Sequence, residues 1–152
     1  MRPFVTAESL EAKAAEWLEK IAPFNRHQLS LKADKAALLV IDMQNFFIDA
    51  SSSLYVTGGV AIIPKLKGLI EAFREAGRPV IYTRHIHHRD GHDAGILGWW
   101  WNGMILEGSE DSEIHKELVP LPNEKTIFKH RYSAFYNTDL EIVLRGLGIE
   151  DI

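Results

Sequence analysis

The stretch Ala36-Ala37-Leu38-Leu39-Val40-Ile41-Asp42-Met43-Gln44 decides the fold class, because an unbroken apolar run is followed directly by a carboxylate. Short apolar runs rich in Leu, Val and Ile are typical of strands buried on both faces of a parallel sheet. A buried helix segment is the alternative, but the length of the run and the polar turn at 32–35 favour a strand. Asp42 then lies at its carboxyl end, where open α/β sheets bind ligands, either as a site residue or as a residue that caps a turn.

The composition is that of an ordinary globular domain. The chain has 152 residues, a hydrophobic fraction of 46% and a formal net charge of −4, enough for one domain with a core. No Lys/Arg cluster and no apolar run of membrane length is present, so neither nucleic acid nor a membrane is expected as a partner. The amino terminus lacks the apolar core of a signal peptide, which predicts a cytoplasmic location. There is no cysteine, so disulfides, thiolate metal sites and a thiol nucleophile are excluded within these residues.

Helical and strand patterns alternate along the chain, which predicts parallel strands joined by helices. Predicted helices cover residues 6–22, 61–76 and 138–148, and predicted strands cover 36–41, 78–84 and 124–129. Thr6 is the expected N-cap of the first helix, which we expect to cover the core, although contact with another subunit is the alternative. Pro64 is expected in the first turn of the second helix, and Thr138–Glu141 reads as a capping box for the third.

A long loop over residues 89–110 carries Trp99-Trp100-Trp101 between several glycines. Loops of this length in compact domains are usually functional or disordered, and three tryptophans argue against disorder. They are expected to form a lid or pocket wall, or to lie in a subunit interface, where tryptophan is enriched. A short helix is predicted near 109–118, and a homo-oligomer is the expected assembly.

Each predicted strand ends in side chains that can do chemistry: Asp42, then Arg84 and His85, then Lys129. Because parallel strands end at the same edge of a sheet, we expect these residues on one rim. A carboxylate and an ammonium from neighbouring strands can form an ion pair there. Such pairs are often structural, but their place after wholly apolar strands favours a catalytic role.

The motif Lys129-x-Arg131-Tyr132-Ser133-Ala134-Phe135, taken with Ile41-Asp42-Met43-Gln44, resembles the isochorismatase-like hydrolases. This superfamily includes cysteine amidohydrolases such as nicotinamidases and ureido-group hydrolases. The resemblance implies a three-layer αβα, Rossmann-like parallel sheet and a small-molecule substrate. We expect the α/β domain to occupy residues 31–152, after an N-terminal helical extension at residues 1–30.

The end of the chain reads as a helix-to-strand junction at Gly148-Ile149, after which a further strand is expected. We therefore expect the chain to be the N-terminal part of a longer domain, apparently truncated after the third helix of the core. A natural C-terminus with a frayed end is the alternative.

The resemblance also implies roles for two of the rim residues. Asp42 and Lys129 match the family's catalytic Asp and Lys, and the third member of that triad is a cysteine that would lie beyond Ile152. In that scheme the thiol attacks a small carboxamide or ureido carbonyl while Asp42 moves the proton. Isochorismatases instead cleave a vinyl ether, with the matching Asp as the acid. A non-catalytic fragment or pseudoenzyme in an assembly is the remaining alternative.

Three further residues complete the candidate substrate site. Phe47 matches an aromatic residue that lines the family's pocket, although a core position is equally consistent with the sequence. Tyr132 is a second pocket candidate. Gln44 is included because hydrogen bonding from its amide would fix the Asp42 loop.

The histidines after the second strand raise the question of a metal. His85 and His87 face one side of an extended segment, and Asp93 would complete a two-His-one-carboxylate set. Nicotinamidases bind a metal after this strand through an Asp-x-His pair, whereas this chain has His85 at the first position. No metal cofactor is therefore expected, with a divalent ion near His85 and His87 as the alternative.

Overall fold

Three parallel strands form the sheet in the computed structural model, which describes residues 4–27, 29–101 and 103–152. The sheet order is β1-β2-β3, so β2 is central. The strands are β1 Leu38–Ile41, β2 Val80–His85 and β3 Lys125–Lys129. The register pairs Ile41 with Thr83, and His85 with Lys129, so all three strands end at the same edge.

Helices cover both faces of this sheet, which confirms the three-layer α/β prediction. The helices are α1 Leu10–Ile21, α2 Asn45–Ile48, α3 Thr57–Glu75, α4 Ile96–Trp100 and α5 Leu140–Gly146. Side chains alternate between the two faces along each strand. Val40, Val80 and Tyr82 therefore pack with α3, while Ile81 and Ile127 pack with α5.

The first helix does not cover the core, so that prediction is wrong. None of the residues of α1 is buried, and Leu18 and Ile21 are more than half exposed. The ring of Phe4, which is close by in sequence, stacks on Trp17 with centroids 5.7 Å apart. The helix also starts later than predicted, because Thr6 and Ser9 bond to each other before it begins.

The starts of the other two predicted helices also differ from the prediction. The Val56 amide donates to the Phe47 carbonyl at 2.8 Å, and α3 begins directly afterwards, so Pro64 lies in the helix interior rather than in its first turn. The capping box before α5 is not formed, because the Thr138 hydroxyl donates to the Ala134 carbonyl and Glu141 accepts from Arg145.

The segment predicted as a short helix near 109–118 consists mainly of turns and bends. Only Glu110–Ser112 forms a single 3₁₀ turn. The backbone beyond it pairs antiparallel with the residues after β1, since the Asn45 amide donates to Glu113 and the His115 amide donates to Met43. This pairing closes the floor beneath the end of β1. In the described ranges, no helix combines the length and the apolar character needed to cross a membrane.

Candidate active site

Asp42 lies immediately after β1, where the chain turns out of the sheet. Its backbone φ is 50°, in the left-handed region that most side chains avoid and that Asp tolerates better than most. The backbone N–H of Gln44 closes the turn by donating to the Asp42 carbonyl at 2.7 Å. In this conformation the carboxylate reaches both Thr83 on β2 and Lys129 on β3.

Lys129 ends β3, and its ammonium lies 2.6 Å from Asp42 Oδ2. The side chain is only 2% exposed. The ammonium also donates to the Arg131 carbonyl at 3.2 Å and lies 3.4 Å from His85 Nδ1. These three acceptors account for its three protons. The expected ion pair is present, but the prediction that it joins neighbouring strands is wrong, because β2 lies between β1 and β3.

Thr83 bridges this gap, and sequence reasoning missed it. Its hydroxyl donates to Asp42 Oδ1 at 2.5 Å and accepts from the Asp42 amide at 3.1 Å. The register explains the contact, because Thr83 pairs with Ile41, the residue before Asp42. A signal was available: Thr83 and His85 are two residues apart and therefore share one face of β2. Within an apolar strand, however, Thr is also a common strand-forming residue.

An open cavity of about 350 Å³ borders the ion pair. Asp42, His85 and Lys129 line its polar side. Apolar and aromatic side chains form the rest of its wall: Ile41, Met43, Phe47, Ile48, Val56, Trp101 and Tyr132. Both Phe47 and Tyr132, the aromatic residues predicted to contact substrate, are therefore placed at the cavity.

The three consecutive tryptophans divide between cavity and surface. Trp101 lines the cavity, where its indole N–H donates to the Tyr132 hydroxyl at 2.9 Å and its ring stands edge-on to Phe47. Trp99 and Trp100 are exposed. The pocket-wall interpretation thus fits Trp101 alone.

Gln44 lies beneath the site rather than in it. Its side chain is fully buried and does not line the cavity. The amide nitrogen donates to the carbonyls of His85 and Ser112, each at 2.9 Å, and the amide oxygen accepts from the His85 N–H at 2.7 Å. With these groups engaged by the backbone, Gln44 offers support for the end of β2 in place of the predicted substrate contact.

Arg84 faces away from the rim residues although it was expected among them. Its guanidinium bonds to the Ser112 carbonyl and to Glu113, each at 2.7 Å, and lies over the Phe128 ring. The alternation of side chains along β2 explains this, since Thr83 and His85 take the opposite face.

The histidines after β2 form a line rather than a ring of ligands. His85 Nε2 lies 2.9 Å from His87 Nε2, and His87 Nδ1 lies 3.4 Å from Asp93 Oδ2. Burial, followed by the charge of Lys129, lowers the pKa of His85 to about 3. Burial also lowers the pKa of His87. Both rings are therefore neutral near pH 7.

The group closest to a metal-ligand set is His87, Asp93 and His130, whose ligand-type atoms lie within 4.8 Å of one another. His130 Nδ1 is 2.7 Å from the Ile86 carbonyl, which can only accept, so this nitrogen carries a proton. Its second partner is Asp93 at 3.0 Å. His130 Nδ1 is thus already protonated and hydrogen-bonded, so this nitrogen does not offer a cation a free lone pair. A second cluster, His88, Asp90 and His92, is wholly exposed.

A larger cavity of about 670 Å³ lies at the opposite, amino end of β2 and β3. Its charged lining is already paired: Arg74 bonds to Glu124 at 2.7 Å, and Arg78 donates to the Ala36 carbonyl. Ligands of open α/β sheets bind at the carboxyl ends of the strands, so the smaller cavity is the candidate site.

Comparison with known proteins identifies the family of this chain. A family model described as the isochorismatase domain matches residues 36–152. Nicotinamidase 3 of Arabidopsis thaliana is 40% identical over 121 residues, covering 77% of this chain and 56% of that protein. Ureidoacrylate amidohydrolase RutB of Caulobacter segnis is 31% identical over 138 residues, covering 76% of this chain and 58% of that protein.

Solved structures show the same likeness. A cysteine hydrolase from Pseudomonas syringae pv. phaseolicola 1448A matches with a TM-score of 0.76 and 31% identity, over 80% of this chain and 59% of that one. The chain therefore spans between 56% and 59% of the length of these three proteins.

Proposed function

Because this chain belongs to the isochorismatase family, we propose that it carries the acid–base pair of a hydrolase that cleaves a small carboxamide or ureido compound. The observation behind the proposal is Asp42, held by Lys129 and Thr83 beside a largely apolar cavity of about 350 Å³. A cavity of this size suits a small molecule. The relatives named nicotinamidase and ureidoacrylate amidohydrolase favour a C–N bond as the target.

Asp42 is the proposed proton carrier. Thr83 and Lys129 each occupy one lone pair on a different carboxylate oxygen, which leaves lone pairs free to accept a proton from a group in the cavity. Asp42 takes the proton of the attacking thiol and later gives it to the leaving amine. Lys129 holds Asp42 in place, and its positive charge favours the thiolate.

The proposed nucleophile is a cysteine, which the 152 residues do not include. In the proposal it lies in a segment beyond Ile152, at the start of a helix next to Asp42. Its thiolate forms a bond to the carbonyl carbon as the C–N bond breaks, and water then releases the acid from the acyl-enzyme. The thiol proton leaves with the amine.

Vinyl-ether hydrolysis is the second candidate, because it needs a proton from Asp42 and a water molecule but no thiol. The residues in the described ranges supply such an acid together with an apolar wall for the substrate. The two candidates differ in product, since the first releases ammonia or an amine and the second releases a carbonyl compound.

The test is turnover by the protein at its native length, with ammonia release from nicotinamide and ureidoacrylate measured beside carbonyl release from isochorismate. We expect ammonia release from a carboxamide or ureido substrate, and its loss in Asp42→Asn. Asp34→Asn is the matched control, because Asp34 is an exposed carboxylate before β1 and outside the cavity. Near-normal turnover in Asp42→Asn would refute the role of Asp42, and carbonyl release alone would select the second candidate.

A homo-oligomer remains part of the proposal. Several large apolar side chains outside the cavity are exposed, including Leu18, Ile21, Trp99 and Trp100. Exposed aromatic residues are enriched in subunit interfaces. Sedimentation equilibrium tests this directly, and a monomer at all concentrations would refute it.

A further inference from the structure

A row of polar groups begins at the ion pair and extends from His85, at the cavity wall, through His87 to Asp93. Lys129 lies 3.4 Å from His85 Nδ1, His85 Nε2 lies 2.9 Å from His87 Nε2, and His87 Nδ1 lies 3.4 Å from Asp93 Oδ2. His85 and His87 are each 1% exposed. The acid–base mechanism proposed above uses neither histidine.

The direction of every bond in this row follows from elementary chemistry. An ammonium can only donate, so His85 Nδ1 is the acceptor and carries no proton. A neutral His85 then has its proton on Nε2, which makes His87 Nε2 the acceptor. A neutral His87 has its proton on Nδ1, directed at the Asp93 carboxylate. Every proton in the row therefore points from Lys129 toward Asp93.

We propose that His85 is a positioning residue and that the row His85–His87–Asp93 orients the Lys129 ammonium toward Asp42 without a metal ion. His85 Nδ1 accepts a hydrogen bond from the one Lys129 N–H group that is not directed at Asp42 or the Arg131 carbonyl. With all three protons assigned, the ammonium cannot rotate away from Asp42 without breaking a bond. The effect of this row on turnover rests on the proposed function, whereas the hydrogen bonds of the row do not.

Asp93, at the far end of the row, is held by several hydrogen bonds. Asp93 Oδ1 accepts the His88 amide at 2.9 Å, and Oδ2 lies 3.0 Å from His130 Nδ1. The Arg131 guanidinium donates to the Asp93 carbonyl at 2.9 Å. Asp93 is thus a fixed acceptor, so the orientation of His87, and through it that of His85, is fixed as well.

Charge explains why a neutral ring suits this position. A carboxylate at residue 85 would compete with Asp42 for the Lys129 ammonium. A divalent cation bound by a ring this close to Lys129 would repel it. A neutral imidazole avoids both effects while it still accepts a proton.

The decisive experiment records long-range ¹H–¹⁵N correlations of the histidine rings at pH 7, which report the protonated nitrogen of each ring. We expect His85 to be protonated only on Nε2 and His87 only on Nδ1. Equimolar Zn²⁺ should leave these ring signals unchanged. A positively charged His85, the opposite tautomers, or Zn²⁺-dependent shifts of the His85 and His87 rings would overturn the proposal. This readout requires no turnover, so it stands even if the proposed function fails.

Two variants separate positioning from packing. His85→Leu removes the acceptor for Lys129, whereas His85→Asn retains a carbonyl oxygen near the place of Nδ1. We expect His85→Leu to lower kcat by about 10- to 100-fold with a smaller change in KM, because misplaced catalytic groups slow the chemical step. His85→Asn should recover part of that loss. Equal kcat values in the two variants would show that His85 serves only packing.

Discussion

Replacing Thr83 by Val tests whether the hydroxyl on the central strand holds Asp42. Val keeps the branched shape but removes the group that donates to Asp42 Oδ1 at 2.5 Å and accepts from its amide at 3.1 Å. A hydrogen bond to a charged group contributes about 1.5–3 kcal/mol, and an unpaired buried amide costs about 1–3 kcal/mol. Because the Asp42 side chain is 20% exposed, water will replace part of the loss, and we expect a destabilisation of about 2–4 kcal/mol.

Urea unfolding measures this change. With a slope of about 2 kcal/mol/M, the midpoint should fall by about 1–2 M while the slope stays the same. The matched control is Thr83→Ser, which keeps the hydroxyl and loses one methyl group, worth about 1 kcal/mol.

A double-mutant cycle with Asp42→Asn identifies the partner. If the hydroxyl acts through the Asp42 carboxylate, the two substitutions together should destabilise less than the sum of the single effects. Equal midpoints for Thr83→Val and Thr83→Ser, or full additivity with Asp42→Asn, would refute this account of Thr83.

Three further predictions concern stability. Gln44→Leu removes the partner of the buried His85 N–H and His85 carbonyl and one of the two donors to the Ser112 carbonyl. The free energy of unfolding should therefore fall by about 2–4 kcal/mol, and a change below about 1 kcal/mol would contradict the assigned support. Gly91→Ala should destabilise the protein by about 1–2 kcal/mol, because Gly91 has φ of 70° and an added Cβ would lie 2.8 Å from the Met104 methyl group. Gly68→Ala, in open space on α3, should stabilise it by about 0.5–1 kcal/mol. Equal effects of the two substitutions in thermal unfolding would contradict the reasoning. The pKa of His85 is lowered from 6.5 to about 3, so between these pH values the unfolded chain binds a proton that the folded chain does not. The free energy of unfolding is therefore at its full value above about pH 7 and should fall below about pH 6.5, by about 1.4 kcal/mol per pH unit from this residue. In His85→Asn the free energy of unfolding should fall less steeply over the same range.

The rim of the sheet could be anticipated because its signals are local. Each apolar run ends at a chemically distinctive residue, and parallel pairing brings the ends together whatever the details of the loops. Asp42 and Lys129 therefore meet as the strand pattern implies. The order of the strands is not local, and it places β2 between the two partners, which gives Thr83 a role that a one-dimensional pattern does not reveal.

The incorrect predictions concern contacts that a sequence pattern does not specify. Thr138 and Glu141 match a capping box, yet Glu141 accepts from the Arg145 side chain, while the Thr138 hydroxyl donates to the Ala134 carbonyl and accepts from the Leu140 amide. The 109–118 segment has helical character in sequence but forms turns and one short bridge, since the Asn45 amide donates to Glu113 and the His115 amide donates to Met43. The periodicity of α1 identified a helix correctly, but periodicity does not specify what the apolar face contacts.

The position of Trp101 makes its fluorescence a probe of the cavity. Its indole ring lies 5.0 Å from the His85 ring and bonds to Tyr132, so a molecule that enters the cavity must change the surroundings of this chromophore. Trp99 and Trp100 are exposed and will add a constant, red-shifted emission that ligands in the cavity do not reach. Intrinsic fluorescence can therefore rank candidate substrates by binding before any turnover is measured, with Trp101→Phe as the silent reference.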